Sequence, residues 1–254
     1  MWVDVTLTCK AMHRIMLLLM FSNSSASGET MTAIAKFSVS QYERMIDAGV
    51  FVPKEKHPWE LIRGEIRNWE TTANFSISEY DRILAAGIFD FPEKQRVELI
   101  RGELRMMSPI NPPHESALDR LLCWSFDHAP RDQVLIRNQN SLGLLTLESV
   151  PQPDLFWVEK KDYSQQRPTS AEVFLIIEVA GTSLKYDLGE KAELYARENL
   201  ADYWIVNVIN RVVEVFREPE NGRYQSMRTY KIGEMISPLA FPEIALTVAD
   251  LWAK

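Results

Sequence analysis

The segment VFLIIEVA at residues 173–180 limits the folds open to this chain more than any other feature. Such a nearly continuous apolar run is typical of a strand that is covered on both faces and therefore lies inside a sheet. Glu178 interrupts the run near its end. A carboxylate there is costly unless it is paired or bound to a metal ion, so we expect Glu178 to have a function. The alternative is a glutamate at the strand end that points to solvent.

The segments around this run predict further helices and strands. Helices are predicted over 116–129 and 187–200, strands over 134–147 and 151–160, and a hairpin around Ile209-Asn210. Asp187 and Glu190 have the spacing of a capping box at the start of the second helix. A chain that alternates helices and strands in this order predicts an α/β fold with a central mixed β-sheet flanked by helices.

The N-terminal part contains an internal duplication. Residues 37–69 align without gaps on residues 75–107 at an offset of 38, and 17 of the 33 positions are identical. Each copy predicts a helix followed by a short hairpin around the Arg-Gly of ELIRGE. A helix and a hairpin of this size cannot form a core alone, so we expect each copy to pack against the rest of the chain.

The two helices of the duplicated unit carry end signals. Ser40 and Ser78 are predicted N-caps, and Gly49 and Gly87 suit the left-handed position after a helix. We divide the chain into a disordered leader (1–30), the first copy with its linker (31–74) and the main domain (75–254). The apolar residues of the first hairpin need cover, either from an apolar face of this chain or from a second subunit in a homodimer.

Composition excludes several classes of protein. Two cysteines and four histidines without metal-ligand spacing argue against a zinc site. The net charge of −7 includes no basic block, so bulk charge gives no support for nucleic-acid binding. The apolar run IMLLLMF at 15–21 is too short to span a membrane, and it reaches only the lower limit for a signal peptide. We expect a cytoplasmic protein without a membrane partner.

Asp154 is a second acidic residue that opens a strand. It follows Pro151 and Pro153 and precedes LFWV, where a simple turn residue is the alternative. If its strand lies beside that of Glu178, the two carboxylates could hold a hard divalent cation such as Mg²⁺. Such an ion can activate water and stabilise charge at a phosphate.

Five segments in order, ELIRGEL, SPINPPHE, PQPDLFWV, FLIIEVAGTS and DLGEKAELYARENLADYWIV, give the chain a family resemblance. It resembles the Uma-type putative restriction endonuclease family of the PD-(D/E)XK nuclease superfamily over residues 75 to about 252. The resemblance implies a restriction-endonuclease-like core, a site for Mg²⁺ or Mn²⁺ at Asp154 and Glu178, and DNA as substrate. It also carries the glutamate of the family's first hairpin onto Glu98 and the histidine of the first core helix onto His114.

The chain departs from the superfamily pattern at one position. Ala180 stands two residues past Glu178, where lysine is expected, and the resemblance places the lysine on the next helix, at Lys191. Asp187, Lys191 and Tyr195 follow one another at intervals of four, so they share one helix face. Lys191 would then stabilise the developing phosphate charge. The alternative is a surface pair between Asp187 and Lys191.

Taken together, these residues and the family resemblance predict a metal-dependent DNA endonuclease. Its catalytic residues are Glu98, Asp154, Glu178 and Lys191, and its accessory residues are His114, Asp187 and Tyr195. The second copy of ELIRGE, with Glu98, belongs to the site, whereas Glu60 of the first copy does not. Two other functions stay open: an inactive member of the same fold that binds a partner, favoured by the acidic charge and Ala180, and an interaction protein built on the duplicated unit.

Overall fold

The computed structural model describes residues 33–51, 59–67, 74–90 and 95–252. The leader predicted for residues 1–30 lies outside the described residues, as does most of the linker after the first copy. No helix in the described ranges is both long and apolar enough to cross a membrane. The homodimer and the boundary at residue 75 stay predictions.

Helices and strands alternate along the chain. In order they are α1 (Val39–Asp47), β1 (Glu60–Ile62), β2 (Glu65–Arg67), α2 (Ile77–Ala85), β3 (Val97–Ile100), β4 (Glu103–Met106), α3 (Pro112–His128), β5 (Val134–Asn138), β6 (Leu155–Glu159), β7 (Val173–Ala180), α4 (Leu184–Tyr186), α5 (Ala192–Arg197), β8 (Asp202–Asn207), β9 (Val212–Glu220), β10 (Arg223–Tyr230), β11 (Met235–Ile236) and β12 (Leu246–Thr247). A π-helical turn, Asp187–Lys191, joins α4 to α5.

A mixed six-stranded sheet forms the centre of the fold, as the sequence predicts. Its strand order is β10-β9-β8-β7-β6-β5, with β7 and β8 parallel and every other neighbouring pair antiparallel. The apolar run is strand β7 and lies between β6 and β8. Its last six residues are all buried, which confirms that this strand is covered on both faces.

Different helices cover the two faces of the sheet. On one face Trp124 of α3 stacks on Trp157 of β6, with ring centroids 5.1 Å apart. On the other face Tyr195 of α5 packs edge-on against Tyr203 of β8, at 5.0 Å. Because side chains alternate along a strand, Glu178 lies on the face covered by α5.

The helices of the duplicated unit begin earlier than predicted. Ser40 and Ser78 are not the N-caps: Ser38 and Ser76 are, and the side chain of each accepts the N–H of the residue three positions on. A Gln or Glu at that third position accepts the backbone N–H of the serine in return and completes a capping box. Ser40 and Ser78 lie inside the first turn of each helix, because the helices already begin at Val39 and Ile77. The predicted C-terminal glycines are confirmed, with φ of 64° and 61°. Both Arg-Gly turns have two positive φ angles, which suit a two-residue hairpin.

The first copy packs on the second through matching contacts. The Arg44 guanidinium donates to the carbonyls of Ala86 and Gly87, which follow the C-terminal end of α2. The Arg82 guanidinium donates to the carbonyl of Val50, which follows the C-terminal end of α1. Both copies contribute to a single buried apolar cluster. The cover that the first hairpin needs therefore comes largely from this chain.

Three predicted elements have different bounds. The first core helix begins at Pro112, not at residue 116, because the Asn111 side chain accepts the N–H of His114 and proline suits the first turn. The strand predicted over 134–147 ends at Asn138. The helix predicted over 187–200 begins at Leu184, so Asp187 lies within it and forms no capping box.

Candidate functional site

Four carboxylates and one lysine are buried together near the C-terminal end of β7. Each of these residues is at least nine-tenths buried: Glu98, Asp154, Glu178, Asp187 and Lys191. They come from β3, the residue before β6, strand β7 and the π-helical turn. The sheet register brings Leu155 opposite Ile177, so Asp154 and Glu178 are neighbours across two strands. The sequence predicted both residues, and the structure brings them together.

Glu178 is paired with donors from the helical layer. Its Oε1 accepts hydrogen bonds from Lys191 Nζ at 2.9 Å and from the Tyr195 hydroxyl at 2.8 Å. The residue is only 3% exposed, so the alternative of a solvent-facing glutamate is wrong. The two donors share a helix face, as the spacing of four residues requires.

Asp154 is held by donors on three sides. Its Oδ2 lies 3.0 Å from His114 Nε2 and accepts the Val179 N–H at 2.9 Å. Its Oδ1 accepts the side-chain amide of Gln139 at 3.2 Å. The Asp154 N–H itself donates to Glu178 Oε2 at 3.3 Å. His114 thus reaches the site because α3 begins two residues before it.

Glu98 and Glu60 occupy different surroundings although both belong to an ELIRGE hairpin. Glu98 is buried, accepts the Gln152 N–H at 2.6 Å and lies 3.8 Å from Lys191 Nζ. Glu60 is exposed on β1. Glu98 of the second copy therefore lies among the buried acids, and Glu60 of the first copy does not.

Lys191 reaches the acids from the π-helical turn. Its Nζ contacts Glu178 and Glu98 and lies 5.7 Å from the centre of the Tyr186 ring. The alternative of a surface pair between Asp187 and Lys191 is wrong, because both residues are buried and Asp187 accepts a hydrogen bond from Ser183 at 2.6 Å. A π turn inserted in a helix is frequent at functional sites.

Burial makes the negative charge of the site costly. It raises the pKa of Glu178 to about 8 and that of Asp187 to about 6; Lys191 opposes both shifts, and the neighbouring acids reinforce them. Burial also acts on Asp154, but the His114 contact and the Val179 N–H outweigh it and hold the pKa of Asp154 below its ordinary value. The acids keep the pKa of Lys191 well above the ordinary value despite its burial.

The carboxylate oxygens of these residues are ligands of the kind that a hard divalent cation prefers. Within the described ranges, no three His, Cys, Asp or Glu side chains are arranged as a complete metal-binding group. Magnesium needs only one or two carboxylates, because it keeps several of its waters. Asp154 Oδ1 and Glu178 Oε2 each accept a single hydrogen bond and so retain lone pairs. These two oxygens, together with the excess of acids over cations, fit such an ion.

Sequence reasoning missed the polar residues that hold the acids in place. Gln139 and Gln152 donate to Asp154 and Glu98, and Arg96 donates to both glutamines. A single glutamine in a loop matches no sequence motif or residue spacing that would indicate its role. The only available hint was the position of Gln152 between the two prolines of PQPD.

Comparison with known proteins agrees with this architecture. The family model Uma2, described as "Putative restriction endonuclease", matches residues 77–249. A crystal structure from Anabaena variabilis, described as a putative nuclease belonging to DUF820, superposes with a TM-score of 0.54 at 12% identity and covers 70% of this chain and 97% of that one. No curated protein matches the sequence. At this identity the solved structure bears on the fold alone, and it confirms the restriction-endonuclease-like core.

Proposed function

The chain belongs to the Uma2 family of putative restriction endonucleases, and on that premise we propose that it is a metal-dependent endonuclease that hydrolyses phosphodiester bonds in DNA. One observation carries the proposal. Asp154 and Glu178 are adjacent and buried, each has an oxygen that accepts only one hydrogen bond, and Lys191 lies beside them. Two carboxylates and a lysine ammonium on neighbouring elements are suited to phosphoryl transfer, in which charge must be stabilised at the reacting phosphate.

Asp154 and Glu178 would hold the cation, Mg²⁺ or Mn²⁺. Such an ion makes water more acidic and neutralises charge on a phosphate. Around it, His114 orients Asp154 through the contact to Oδ2, and Tyr195 orients Glu178 through the bond to Oε1. Water attacks the phosphorus in line with the departing 3′-oxygen.

Lys191 acts as a fixed positive charge in this proposal. Its raised pKa keeps the ammonium protonated at neutral pH, so it is suited to stabilising charge and not to accepting a proton. Glu98, at 3.8 Å, holds the ammonium together with Glu178 and is available to the metal shell through its second oxygen. Asp187 adds negative charge that acts on both Glu178 and Glu98.

One observation favours a different function. Lys191 and Tyr195 already satisfy one oxygen of Glu178, and no complete three-ligand group is present among the described residues. A buried ion pair of this kind can be purely structural, as in an inactive nuclease fold that binds a partner.

Nicking of supercoiled plasmid with Mg²⁺ or Mn²⁺ distinguishes the two functions. The wild type should nick the plasmid, and Asp154→Ala should abolish nicking. Asp127→Ala, at an exposed position on α3, is the matched control and should nick as the wild type does. Calorimetric titration with Mg²⁺ should show binding that is lost in Asp154→Ala and kept in Asp127→Ala. A wild type that binds no divalent cation and nicks no plasmid would establish the inactive alternative.

A further inference from the structure

Three arginines lie on or next to the β3–β4 hairpin that carries Glu98, and they differ in their partners. Arg101 is paired with Glu193 at 3.2 Å, and Arg105 is paired with Glu190 at 2.7 Å. Arg96, directly before β3, has no carboxylate partner in the part of the chain that the structure describes. Its positive charge is therefore not neutralised by an ion pair there.

Two neutral amides separate Arg96 from the acids of the site. Its Nη1 donates to Gln139 Oε1 at 3.0 Å and its Nη2 donates to Gln152 Oε1 at 3.3 Å. Gln139 in turn donates to Asp154, and the Gln152 N–H donates to Glu98. One glutamine thus stands between the guanidinium and each carboxylate. The two glutamines fix the position of the guanidinium and keep it from forming an ion pair with Asp154 or Glu98.

Gln139 reaches this position through an uncommon backbone conformation. Its φ is +51°, in the left-handed region, at the point where β5 ends. Its backbone N–H donates to the carbonyls of Pro153 and Asp154. Both the backbone and the side-chain amide of Gln139 are therefore fixed against the segment that carries Asp154, and the side-chain oxygen faces Arg96.

Within the described part of the chain, Arg96 uses only some of its hydrogen-bond donors. A guanidinium has five N–H groups, and the two glutamines use two of them. The other three have no acceptor in the described ranges, and the residue is only partly buried. The planar fork of arginine matches phosphate oxygens, and its charge strengthens such bonds.

We propose that Arg96 binds a non-bridging phosphate oxygen of the DNA backbone at the edge of the acidic site. The proposal rests on the proposed nuclease function, because it requires a polyanionic substrate there. The buried acids repel such a substrate, and Lys191 is enclosed and already paired. Arg96 supplies a partly exposed positive charge that no carboxylate of the described ranges pairs with and that is fixed relative to both Asp154 and Glu98.

The salt dependence of DNA binding tests this contact. Labelled linear fragments of the plasmid used in the nicking assay are titrated in EDTA between 50 and 200 mM salt. Each phosphate contact contributes about 0.9 to the slope of log affinity against log salt. Arg96→Gln should lower the slope by about 0.9, so that its affinity falls about 3-fold less than that of the wild type across this range. Arg96→Lys, which keeps the charge, should retain the wild-type slope.

Arg223→Gln is the matched control. Arg223 is exposed on β10, which is separated from β7 by two strands, and its loss should leave the slope unchanged. If the wild type binds DNA and Arg96→Gln keeps its slope, the phosphate contact is wrong while the nuclease function stands. The contact is equally wrong if Arg96→Gln loses Mg²⁺ affinity at an unchanged slope, because Arg96 then only positions Asp154. If the wild type neither nicks nor binds DNA, the proposed function fails as well.

Discussion

Lys191 Nζ lies 2.9 Å from Glu178 Oε1, although Glu178 is in the sheet and Lys191 is in the helical layer that covers it. On strand β7 itself, the position two residues past Glu178 is occupied by Ala180, which is fully buried. The cation therefore approaches the acid from the helix and not along the strand. A lysine and a glutamate can thus meet in space without the spacing that a strand motif would require.

Lys191→Met should abolish nicking and lower stability. Removal of the ammonium leaves Glu178 and Glu98 without an opposing charge in a buried site, and breaking a buried pair in this way costs about 3–5 kcal/mol. The measurements are thermal unfolding and plasmid nicking at a temperature where the variant is folded. Lys185→Met, at an exposed position on α4, should change neither. A folded Lys191→Met protein that nicks at the wild-type rate would show that the ammonium has only a structural role.

The stability of the metal-free protein should fall as the pH rises from about 4.5 towards 8. Burial raises the pKa of Glu178 to about 8 from an ordinary value of 4.5, so the folded state holds this proton more tightly than the unfolded chain does. The stabilisation is complete below the unfolded pKa and is lost as the pH approaches the folded pKa. Each pH unit within that window can cost up to about 1.4 kcal/mol.

Glu178→Gln isolates this contribution. In EDTA the variant should keep the fold and show a flatter dependence of melting temperature on pH between 5 and 8. Above pH 7 it should be at least as stable as the wild type. Mg²⁺ at 100 times its dissociation constant should stabilise the wild type by about 2.7 kcal/mol at pH 8 and should leave the variant unchanged. Equal pH profiles for the two proteins, or an unfolded variant, would mean that Glu178 is ionised and structural.

Much of the fold was predictable because it depends on local patterns. The apolar run at 173–180 and the hairpin around Ile209-Asn210 follow from hydrophobic periodicity, and the duplication defines two similar units. The helix starts were predicted wrongly where two serines lie two residues apart. Ser38 and Ser40 each have a Gln or Glu three residues further on, Gln41 and Glu43, so the capping-box pattern fits both, and only the structure shows that Ser38 forms the box.

The site was predictable only in part, since its contacts join distant segments. Glu178 stood out because a charge within a buried strand is costly, and the resemblance added Glu98, His114 and Lys191. The amides of Gln139 and Gln152 could not be found in this way, because neutral side chains in loops have no spacing that indicates a role. The π turn at Asp187–Lys191 was also missed, since its sequence is that of an ordinary helix.

The two ELIRGE glutamates should differ in function although their local sequences agree. Glu98→Ala should reduce nicking and Mg²⁺ affinity, because Glu98 is buried and contacts Gln152 and Lys191. Glu60→Ala should leave both near the wild-type values, since Glu60 is exposed on the first hairpin. Calorimetric titration with Mg²⁺ and plasmid nicking, measured for both variants and the wild type, test this difference. Equal losses from the two substitutions would assign the first copy to the site.

The contacts between the two copies should stabilise the protein without affecting the chemistry. Arg44 donates to the carbonyls of Ala86 and Gly87, and its counterpart Arg82 donates only to that of Val50, over a longer 3.4 Å. A net hydrogen bond contributes about 0.5–1.5 kcal/mol, and one from a charged group contributes more. Arg44→Met should therefore destabilise the protein by about 1–3 kcal/mol, and Arg82→Met by less.

Denaturant unfolding of the two variants measures this difference, with Arg223→Met on the outer strand β10 as the control. Since both arginines cap the end of the other copy's helix, their loss should loosen the first copy from the second. Nicking at 25 °C should persist in both, because neither arginine contacts a residue of the acidic site. If Arg82→Met were the more destabilising, the longer contact would be the stronger one. If either variant lost nicking while folded, the first copy would act on the site through its packing against β3 and β4 of the second copy.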